Sequence, residues 1–436
     1  MPKHHKHTRA PLHTRLSLAA PLRAASVASA IIATGLALAE NSPYYVGASQ
    51  TFSHESNLLR LNDNATVPNG YSRADTVSST ALLAGIDQPI GRQRVHGDLS
   101  LRHNRYSNND LFNNQSYSAN LALDWATVNR LSGTLSGGAT RALSSFNLQE
   151  VGFLSAKNFE DTKTLDASVQ MGVVTQYSLL ASAGHREVSN SLERDSVQAR
   201  NFNQDTASLG LRWQPSGALI LGAGLRTTKG RYPKFGRNTV DNSFLSDSYT
   251  RNDIDFTAFY QPTGLSTLSA RLSSGKTDYD RATQRNFSGV TGSLNWTWQA
   301  TGKLRVNTTL SRDTGQDSYV VNTVTNTPTT ADYSRINTTL RVGTDWAATS
   351  KIAVTSSVAI SQRDLVTSLP PQPGQSGTTS GRERYTSLAV GARWAPTRSS
   401  LVGCNANTDR ITGSGSQAAT HIKGTGISCY GQLTLQ

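Results

Sequence analysis

Residues 288–310 read SGVTGSLNWTWQATGKLRVNTTL. From Val290 to Trp298, apolar or small residues alternate with polar ones, and the alternation resumes from Leu304 to Leu310. A period of two places successive side chains on opposite faces of a strand. The stretch therefore predicts two strands, each with one apolar and one polar face, joined by a short turn at 300–303.

The same alternation recurs along much of the chain. Further predicted strands with an apolar face include 117–125, 209–213, 219–225, 340–346 and 388–394. A soluble β-sandwich also shows this pattern, so alternation alone leaves both classes of β protein open.

The connections between the predicted strands separate the two classes. Eight short turns are expected near residues 88–91, 127–130, 174–177, 214–217, 261–264, 300–303, 348–351 and 396–399. Long polar connections lie between them, at 232–249, 315–332 and 366–383 among others. Six of the short turns directly follow an aromatic residue, and the set is Trp125, Trp213, Tyr260, Trp298, Trp346 and Trp394. Short turns at one end, long loops at the other and an aromatic girdle are typical of an outer-membrane barrel.

The spacing of the turn aromatics predicts the size of the barrel. Neighbouring turn aromatics from Tyr260 to Trp394 are about 45 residues apart, the length of one hairpin with its loop. Residues 40–436 then hold about nine hairpins, or about 18 strands. We therefore expect an all-β fold, a transmembrane antiparallel up-and-down barrel with short periplasmic turns and long extracellular loops.

Residues 1–39 have the features of a secretory signal peptide. Lys3, Lys6, Arg9, Arg15 and Arg23 form a basic leader without acids, a small apolar run follows, and residues 37–39 fit a small-x-small cleavage site. The prediction is a signal peptide at 1–39, a barrel at 40–436, and location in the bacterial outer membrane. An N-terminal anchor helix is the alternative, although about 15 mildly apolar residues are short for a membrane span.

Composition excludes several other classes of protein. The 436-residue chain is 36% hydrophobic and 16% charged, with two cysteines and two methionines. Such a chain has no disulfide-dense scaffold, no zinc ribbon and no methionine-rich groove. Its basic residues are spread along the strands rather than gathered with exposed aromatics, so nucleic acid is not an expected partner.

Alternation also predicts which charges line the lumen. The inward arginines are expected to be Arg102, Arg212, Arg226, Arg271, Arg305, Arg341, Arg363 and Arg393. The inward acids are expected to be Asp98, Asp124, Asp166, Asp255 and Asp345, which predicts a modestly cationic lumen. These arginines either brace the wall in Arg–Asp pairs or form a path for an anionic or hydroxyl-rich chain, since guanidinium groups bind carboxylates and hydroxyls.

The sequence offers little that points to catalysis. His96, Asp98 and Ser100 share one strand face, but positions i and i+2 are about 6.7 Å apart, too far for a relay of hydrogen bonds. Asp278 and Asp280 form an acidic pair in a predicted loop, where carboxylates are usually solvated. No HExxH, CxxC or phosphate-binding glycine loop occurs. We expect no enzyme activity, no cofactor and no metal.

Several segments resemble a known family. They are residues 56–61 (SNLLRL), 88–94 (QPIGRQR), 285–303 (RNFSGVTGSLNWTWQATGK) and 428–436 (SCYGQLTLQ). Together they resemble EpsL, an outer-membrane barrel encoded with exosortase-associated exopolysaccharide biosynthesis genes. Leu433 departs from the aromatic residue expected near the end of the last strand.

The resemblance implies a role in exopolysaccharide export across the outer membrane. Outer-membrane lipid and a polysaccharide, anionic or hydroxyl-rich, would be partners, with periplasmic export components as further candidates. Two alternatives stay open, a general or solute-specific porin and a plugged structural or assembly barrel. A porin needs an inward-folded constriction loop, and residues 366–383 are the candidate.

The two cysteines lie in the last two predicted strands. Cys404 and Cys429 are equidistant from the Gly-Ser loop near residue 416, so an antiparallel hairpin places them opposite one another. Their parity also predicts that both side chains face the same way. We therefore expect a Cys404–Cys429 disulfide, which the oxidising periplasm favours. Two unpaired thiols are the alternative.

Overall fold

The structure is a computed structural model. It describes residues 42–435 except 129, 145–156, 173–175, 239–240, 315–319, 323–327, 331–333, 369–377 and 416–420. The proposed signal peptide at 1–39 lies outside the described residues and stays a prediction.

Twenty strands are described. The first ten are β1 (Tyr44–Glu55), β2 (Asp75–Ile90), β3 (Gln93–Tyr106), β4 (Asn114–Ala126), β5 (Leu131–Leu143), β6 (Phe159–Met171), β7 (Tyr177–Asn190), β8 (Phe202–Ser216), β9 (Leu219–Arg237) and β10 (Phe244–Thr263). The others are β11 (Ser266–Tyr279), β12 (Phe287–Gln299), β13 (Leu304–Asp313), β14 (Val320–Asn322), β15 (Pro328–Thr330), β16 (Ser334–Trp346), β17 (Ile352–Ser368), β18 (Thr378–Trp394), β19 (Ser400–Gly415) and β20 (Ile422–Leu435).

Eighteen of these strands form one closed antiparallel sheet. Each strand pairs with the next along the chain, β13 pairs with β16, and β14 with β15 forms a separate two-stranded sheet. β1 pairs with β20 from Val46↔Leu435 to Glu55↔Gly426, which closes the barrel. The predicted 18-stranded up-and-down barrel is confirmed.

The two faces of the sheet differ as the alternation predicts. Large apolar side chains are exposed on the outer face, such as Leu225 at 65%, Leu209 at 63% and Leu294 at 38%. The inner face carries polar and charged side chains, many of them bonded to one another. An apolar outer face is stable in hydrocarbon, and closure leaves no strand edge unpaired there. The chain is an outer-membrane barrel.

Eight short turns lie at the end of the barrel where β1 begins and β20 ends. Three begin about three residues later than expected, since the strands continue to Ile90, Ser216 and Thr263. The strand register shifts between Trp213 and Ser216 and between Tyr260 and Thr263. Each shifted stretch contains a proline, which lacks a backbone N–H and is tolerated at a bulge. At the first of the three turns, Gly91 has φ +61°, which favours glycine.

The long connections are shorter than expected where they are described. The predicted connection 232–249 is mostly strand, because β9 runs to Arg237 and β10 begins at Phe244. The predicted constriction loop 366–383 is strand up to Ser368 and again from Thr378, so that expectation is wrong for those residues. Residues 369–377 lie outside the described residues. The described part of 315–332 contains β14 and β15.

Helical structure is sparse. The described residues contain one α-helical turn, Asp195–Gln198, and two 3-10 turns, Asp110–Phe112 and Thr283–Arg285. None of the helices in this part of the chain is long and apolar enough to cross a membrane.

Candidate functional site: the lumenal wall and its inner loop

The connection from β1 to β2, residues 56–74, folds against the inside of the barrel and is called the inner loop here. Its Leu59 and Leu61 are 1% and 7% exposed. They pack in a buried cluster with Val77 and Tyr106, inward residues of β2 and β3, and with Phe112 of the next long connection. Burying two leucines contributes about 3–6 kcal/mol to docking of the loop, before the cost of ordering it.

Hydrogen bonds fix the shape of the inner loop. The Asn57 side-chain amide donates to the backbone carbonyls of Leu61 and Lys423, both at 2.8 Å, and its oxygen accepts the Leu61 N–H at 3.0 Å. Arg73 donates to the carbonyl of Ala65 at 2.7 Å. Asn57 is 2% exposed, and its three bonds satisfy a buried amide while tying the loop to β20.

A buried ion-pair cluster crosses from the inner loop to the barrel wall. The Arg60 guanidinium contacts Asp409 of β19 and lies 3.5 Å from Glu55 of β1. Side-chain exposure is 16% for Arg60, 3% for Glu55 and 1% for Asp409. Burial alone would lower the pKa of Arg60, but the two carboxylates outweigh it and raise that pKa. This cluster, called the Arg60 latch here, holds the loop through charge.

A second set of bonds ties the inner loop to the connection between β3 and β4. Asp75, the fully buried first residue of β2 directly after the loop, accepts the backbone N–H groups of Ser107, Asn108 and Asn109. The Asn109 side-chain oxygen accepts the Ser72 N–H at 2.9 Å. The two connections therefore form one packed unit against β1–β5, β19 and β20.

The eight predicted lumenal arginines occupy the inward positions of their strands, but they do not form one uniform group. Arg226 lies 2.9 Å from Asp255 and 3.0 Å from Asp253, and Arg363 lies 3.4 Å from Glu383. Arg271 lies 4.0 Å from Asp313. These three brace the wall in ion pairs.

The other five predicted arginines lie along the rest of the wall. Arg305 donates to the Gln299 side chain at 3.3 Å. Arg341 and Arg393 also face inward and interact with neighbouring groups. Arg102 and Arg212 lie opposite small residues, Ala81 and Ser116 for the first and Ser178 and Gly222 for the second.

The expected excess of lumenal cations is offset by acids that the sequence reasoning omitted. Of the acids that it did include, Asp255 pairs with an expected arginine. Asp124 instead contacts His96 at 3.2 Å and accepts a bond from Thr134, while Asp345 accepts one from Asn307. The further inward acids, each within 4.0 Å of an arginine, are Asp253, Asp313, Glu383, Glu55 and Asp409.

Arg251 is a lumenal arginine that the sequence reasoning missed. It is 3% exposed, pairs with Asp253 at 2.8 Å, and donates to the hydroxyls of Thr291 and Thr314 at 2.9 and 2.7 Å. It lies on the inward face of β10, two residues before Asp253, so the alternation along β10 could have identified it. All three of its guanidinium nitrogens donate, which makes Arg251 a structural brace of the β10–β13 wall.

Between the charged groups, the inner wall is lined by hydroxyl and amide groups. On β12, β13 and β16, Thr309 donates to Asn295 at 3.0 Å and Asn307 donates to Asp345 at 3.0 Å. The Ser182 and Ser208 hydroxyls are 2.7 Å apart on β7 and β8. Such groups can exchange bonds among themselves for bonds to water or to a hydroxylated solute.

The groups considered for catalysis do not come together. His96 reaches across to Asp124 rather than to Ser100, and Asp278 is bonded to Lys276 at 2.8 Å. Within the described residues, no group of three or more His, Cys, Asp or Glu is placed to hold a metal ion.

The outer face carries the aromatic girdle and the cysteines. Five of the six turn aromatics are exposed there at the short-turn end, and Trp125 is half-buried on the same face. Trp298 stacks on Trp296 with ring centroids 5.7 Å apart. Cys404 pairs directly with Cys429 in the β19–β20 register and forms a disulfide with a Cα–Cα distance of 4.1 Å. Both cysteines are on the lipid-facing side, as their parity predicts.

No protein-family model and no curated protein matches this sequence. Among solved structures, the chain is similar to the outer membrane protein OpdK of Pseudomonas aeruginosa at 12% identity and TM-score 0.45, covering 90% of this chain and 99% of that one. OccK3 (OpdO) of the same organism is 12% identical with a TM-score of 0.45, and the match covers 90% of this chain and 96% of that one. The FrpB iron transporter of Neisseria meningitidis is 9% identical with a TM-score of 0.45. That match covers 87% of this chain and 64% of the transporter chain. The likeness is restricted to the general form of a barrel.

Proposed function

We propose that the barrel is a solute-specific porin for hydroxyl-rich solutes, neutral or weakly anionic saccharides in particular. An 18-stranded barrel leaves an aqueous channel, because its circumference exceeds what inward side chains can fill. The inner loop docks on one side of that channel, against β1–β5, β19 and β20.

The observation that carries the proposal is the chemistry of that opposite wall. Asn295, Thr309, Asn307 and Asp345 provide hydrogen-bonding groups on the inner face of β12, β13 and β16. Arg305 of this wall donates to Gln299, and Arg226, Arg251 and Arg271 of the adjoining strands are engaged with acids. A wall rich in hydroxyl and amide groups with paired charges favours a solute that exchanges hydrogen bonds over one that brings net charge.

The test is transport by the purified barrel in liposomes. We expect a neutral trisaccharide to enter faster than a permanently charged organic cation of equal size. The variant Asn307→Leu removes a lumenal amide and should slow the saccharide several-fold. The matched control is Val306→Leu, on the outer face of the same strand, which should leave the rate unchanged. Uptake that depends on solute size alone, identical in both variants, would refute a saccharide-selective wall.

A second candidate, exopolysaccharide export, is favoured by one specific observation. Residues 56–61, which carry part of the resemblance to EpsL, form the buried core of the inner loop. A segment that resembles that family therefore coincides with the loop that docks inside the barrel. Polysaccharide and porin substrates would also share the hydroxyl-rich chemistry that this wall offers.

A gene deletion separates the two candidates. The export proposal predicts that deleting the gene abolishes surface polysaccharide while synthesis intermediates stay in the cell. If deletion changes saccharide uptake and leaves surface polysaccharide at its normal level, the porin proposal holds and the export proposal fails.

A further inference from the structure

Three basic side chains lie together on the outer face of β18, β19 and β20, towards the end with the long connections. They are Arg384, Arg410 and Lys423, all exposed. Arg410 is the direct partner of Lys423 in the strand register, and Arg384 pairs with Thr412, two residues further along the same face of β19. We call these three residues the outer basic patch.

Arg410 and Lys423 repel each other across β19 and β20. Arg410↔Lys423 has the same parity as Cys404↔Cys429, whose Cα atoms are 4.1 Å apart, so it is a pair of the closely spaced type. Like charges directly opposite each other destabilise a sheet, and the cost rises next to hydrocarbon because screening is weak there.

Few carboxylates compensate the patch. Lys423 lies 3.3 Å from Asp63, where the inner loop passes the end of β20 and the Asp63 N–H bonds to the His421 carbonyl. The neighbouring Arg382 lies 2.9 Å from Asp364, so that acid is already engaged. The cross-strand neighbours on this face are uncharged, namely Gln362, Thr386 and Thr412. Within the described residues, Asp63 is therefore the one carboxylate available to the three cations of the patch.

The patch lies at the height of a lipid headgroup. Arg384 is ten residues from Trp394, the girdle residue at the short-turn end of the same strand. At about 3.4 Å per residue and a tilt of about 35–45°, this is a rise of about 24–28 Å along the membrane normal. The apolar outer band of such barrels is about 25 Å tall. Val390 and Leu388 lie within that span, and Arg384 lies at its upper edge.

We propose that the outer basic patch binds the phosphate of an anionic lipid headgroup in the outer leaflet. Two guanidinium groups and one ammonium group donate to the phosphate oxygens, which relieves the Arg410–Lys423 repulsion. The acyl chain of the lipid packs below, along the apolar outer faces of β19 and β20. This site is on the outside of the barrel and does not depend on what passes through the lumen.

The test compares two triple variants of the full barrel, purified in detergent and freed of lipid. The first is Arg384→Gln/Arg410→Gln/Lys423→Gln. The matched control is Arg105→Gln/Lys229→Gln/Arg312→Gln, three exposed basic residues that also face outward but lie far apart, on β3, β9 and β13. The probe is lipid A, a bisphosphorylated glycolipid, and bound copies are counted by native mass spectrometry.

We expect the patch variant to bind lipid A about 100-fold more weakly, because each basic residue near an anionic surface contributes roughly fivefold. The control should retain the affinity of the native barrel. The single variant Arg410→Gln, which removes one of two opposed charges and so does not endanger folding, should lose about fivefold.

Three results would overturn the proposal. Equal loss in both triple variants would mean a diffuse attraction without a site. Unchanged binding in the patch variant would mean that the patch does not contact the lipid. Binding of inorganic phosphate at the patch as tight as that of lipid A would mean a free-anion site rather than a lipid site.

Discussion

The Arg60 latch offers the sharpest test of the inner loop. Replacing Arg60 with Gln leaves the buried side chains of Glu55 and Asp409 without their cation. Breaking a buried pair in this way costs about 3–5 kcal/mol, because the remaining carboxylates stay desolvated or must take up a proton. The leucine contacts of the loop are untouched, so the change acts on docking of the loop rather than on closure of the barrel.

At about 3 kcal/mol, the population with the inner loop undocked rises about 100-fold, since about 1.4 kcal/mol is a factor of ten. Amide hydrogen exchange measures this directly, because exchange reports local opening. The informative groups are the N–H of Leu61, bonded to Asn57, and the N–H of Leu58, bonded to the carbonyl of Arg73. In detergent micelles, we expect their protection to fall about 100-fold while that of β1 and β20 is unchanged.

The matched control is Arg281→Gln. Arg281 is an exposed arginine at the same end of the barrel that donates to the Ser246 carbonyl at 2.9 Å. Its loss should leave the inner loop protected. Unaltered protection in Arg60→Gln, or equal loss in both variants, would refute the reasoning that the latch holds the loop.

Three further outcomes follow from the fold. Leu294→Lys should impair membrane assembly by about 2–4 kcal/mol, whereas the adjacent Asn295→Lys, facing the lumen, should cost little; equal defects in assembly yield would contradict the assignment of faces. Protein denatured without reductant should carry no free thiol, and Cys404→Ser should make Cys429 alkylatable; two reactive thiols in the native sequence would exclude the bond. Arg226→Gln removes the partner of Asp255 and should lower the urea midpoint of unfolding, by a change equivalent to about 3 kcal/mol; an unchanged midpoint would show that the pair adds nothing.

The faces of the strands could be predicted from the sequence because a barrel imposes a strict period of two. One residue of slip would place Leu294 in the lumen, so the pattern has a single solution. The short turns could be placed within about three residues. Three turns were placed about three residues early, and at two of them, near Pro215 and Pro262, the strand passes through a bulge that alternation does not reveal.

The inner loop could not be predicted in this way. Leu59, Arg60 and Leu61 have no period, and the docking of Arg60 depends on Asp409, which is 349 residues away in the sequence. The loop also uses a left-handed backbone at Arg60, φ +52°, a conformation for which arginine gives no sequence signal. One of the lumenal acids was missed for a related reason, because Glu383 lies in a strand extension that the sequence assigns to a loop.

Closure of the barrel has a consequence for the order of assembly. Val46↔Leu435, the pair that seals the cylinder, joins residues 389 apart, whereas Cys404↔Cys429 joins residues 25 apart. By chain entropy alone, the longer closure costs about 2 kcal/mol more than the shorter one. The β19–β20 hairpin can thus form early and be sealed in one register while still in the periplasm. The seam between β1 and β20 then forms last, and its incoming edge is already rigid. Seam formation becomes the docking of β1 against a prepared edge instead of a search by two flexible strands.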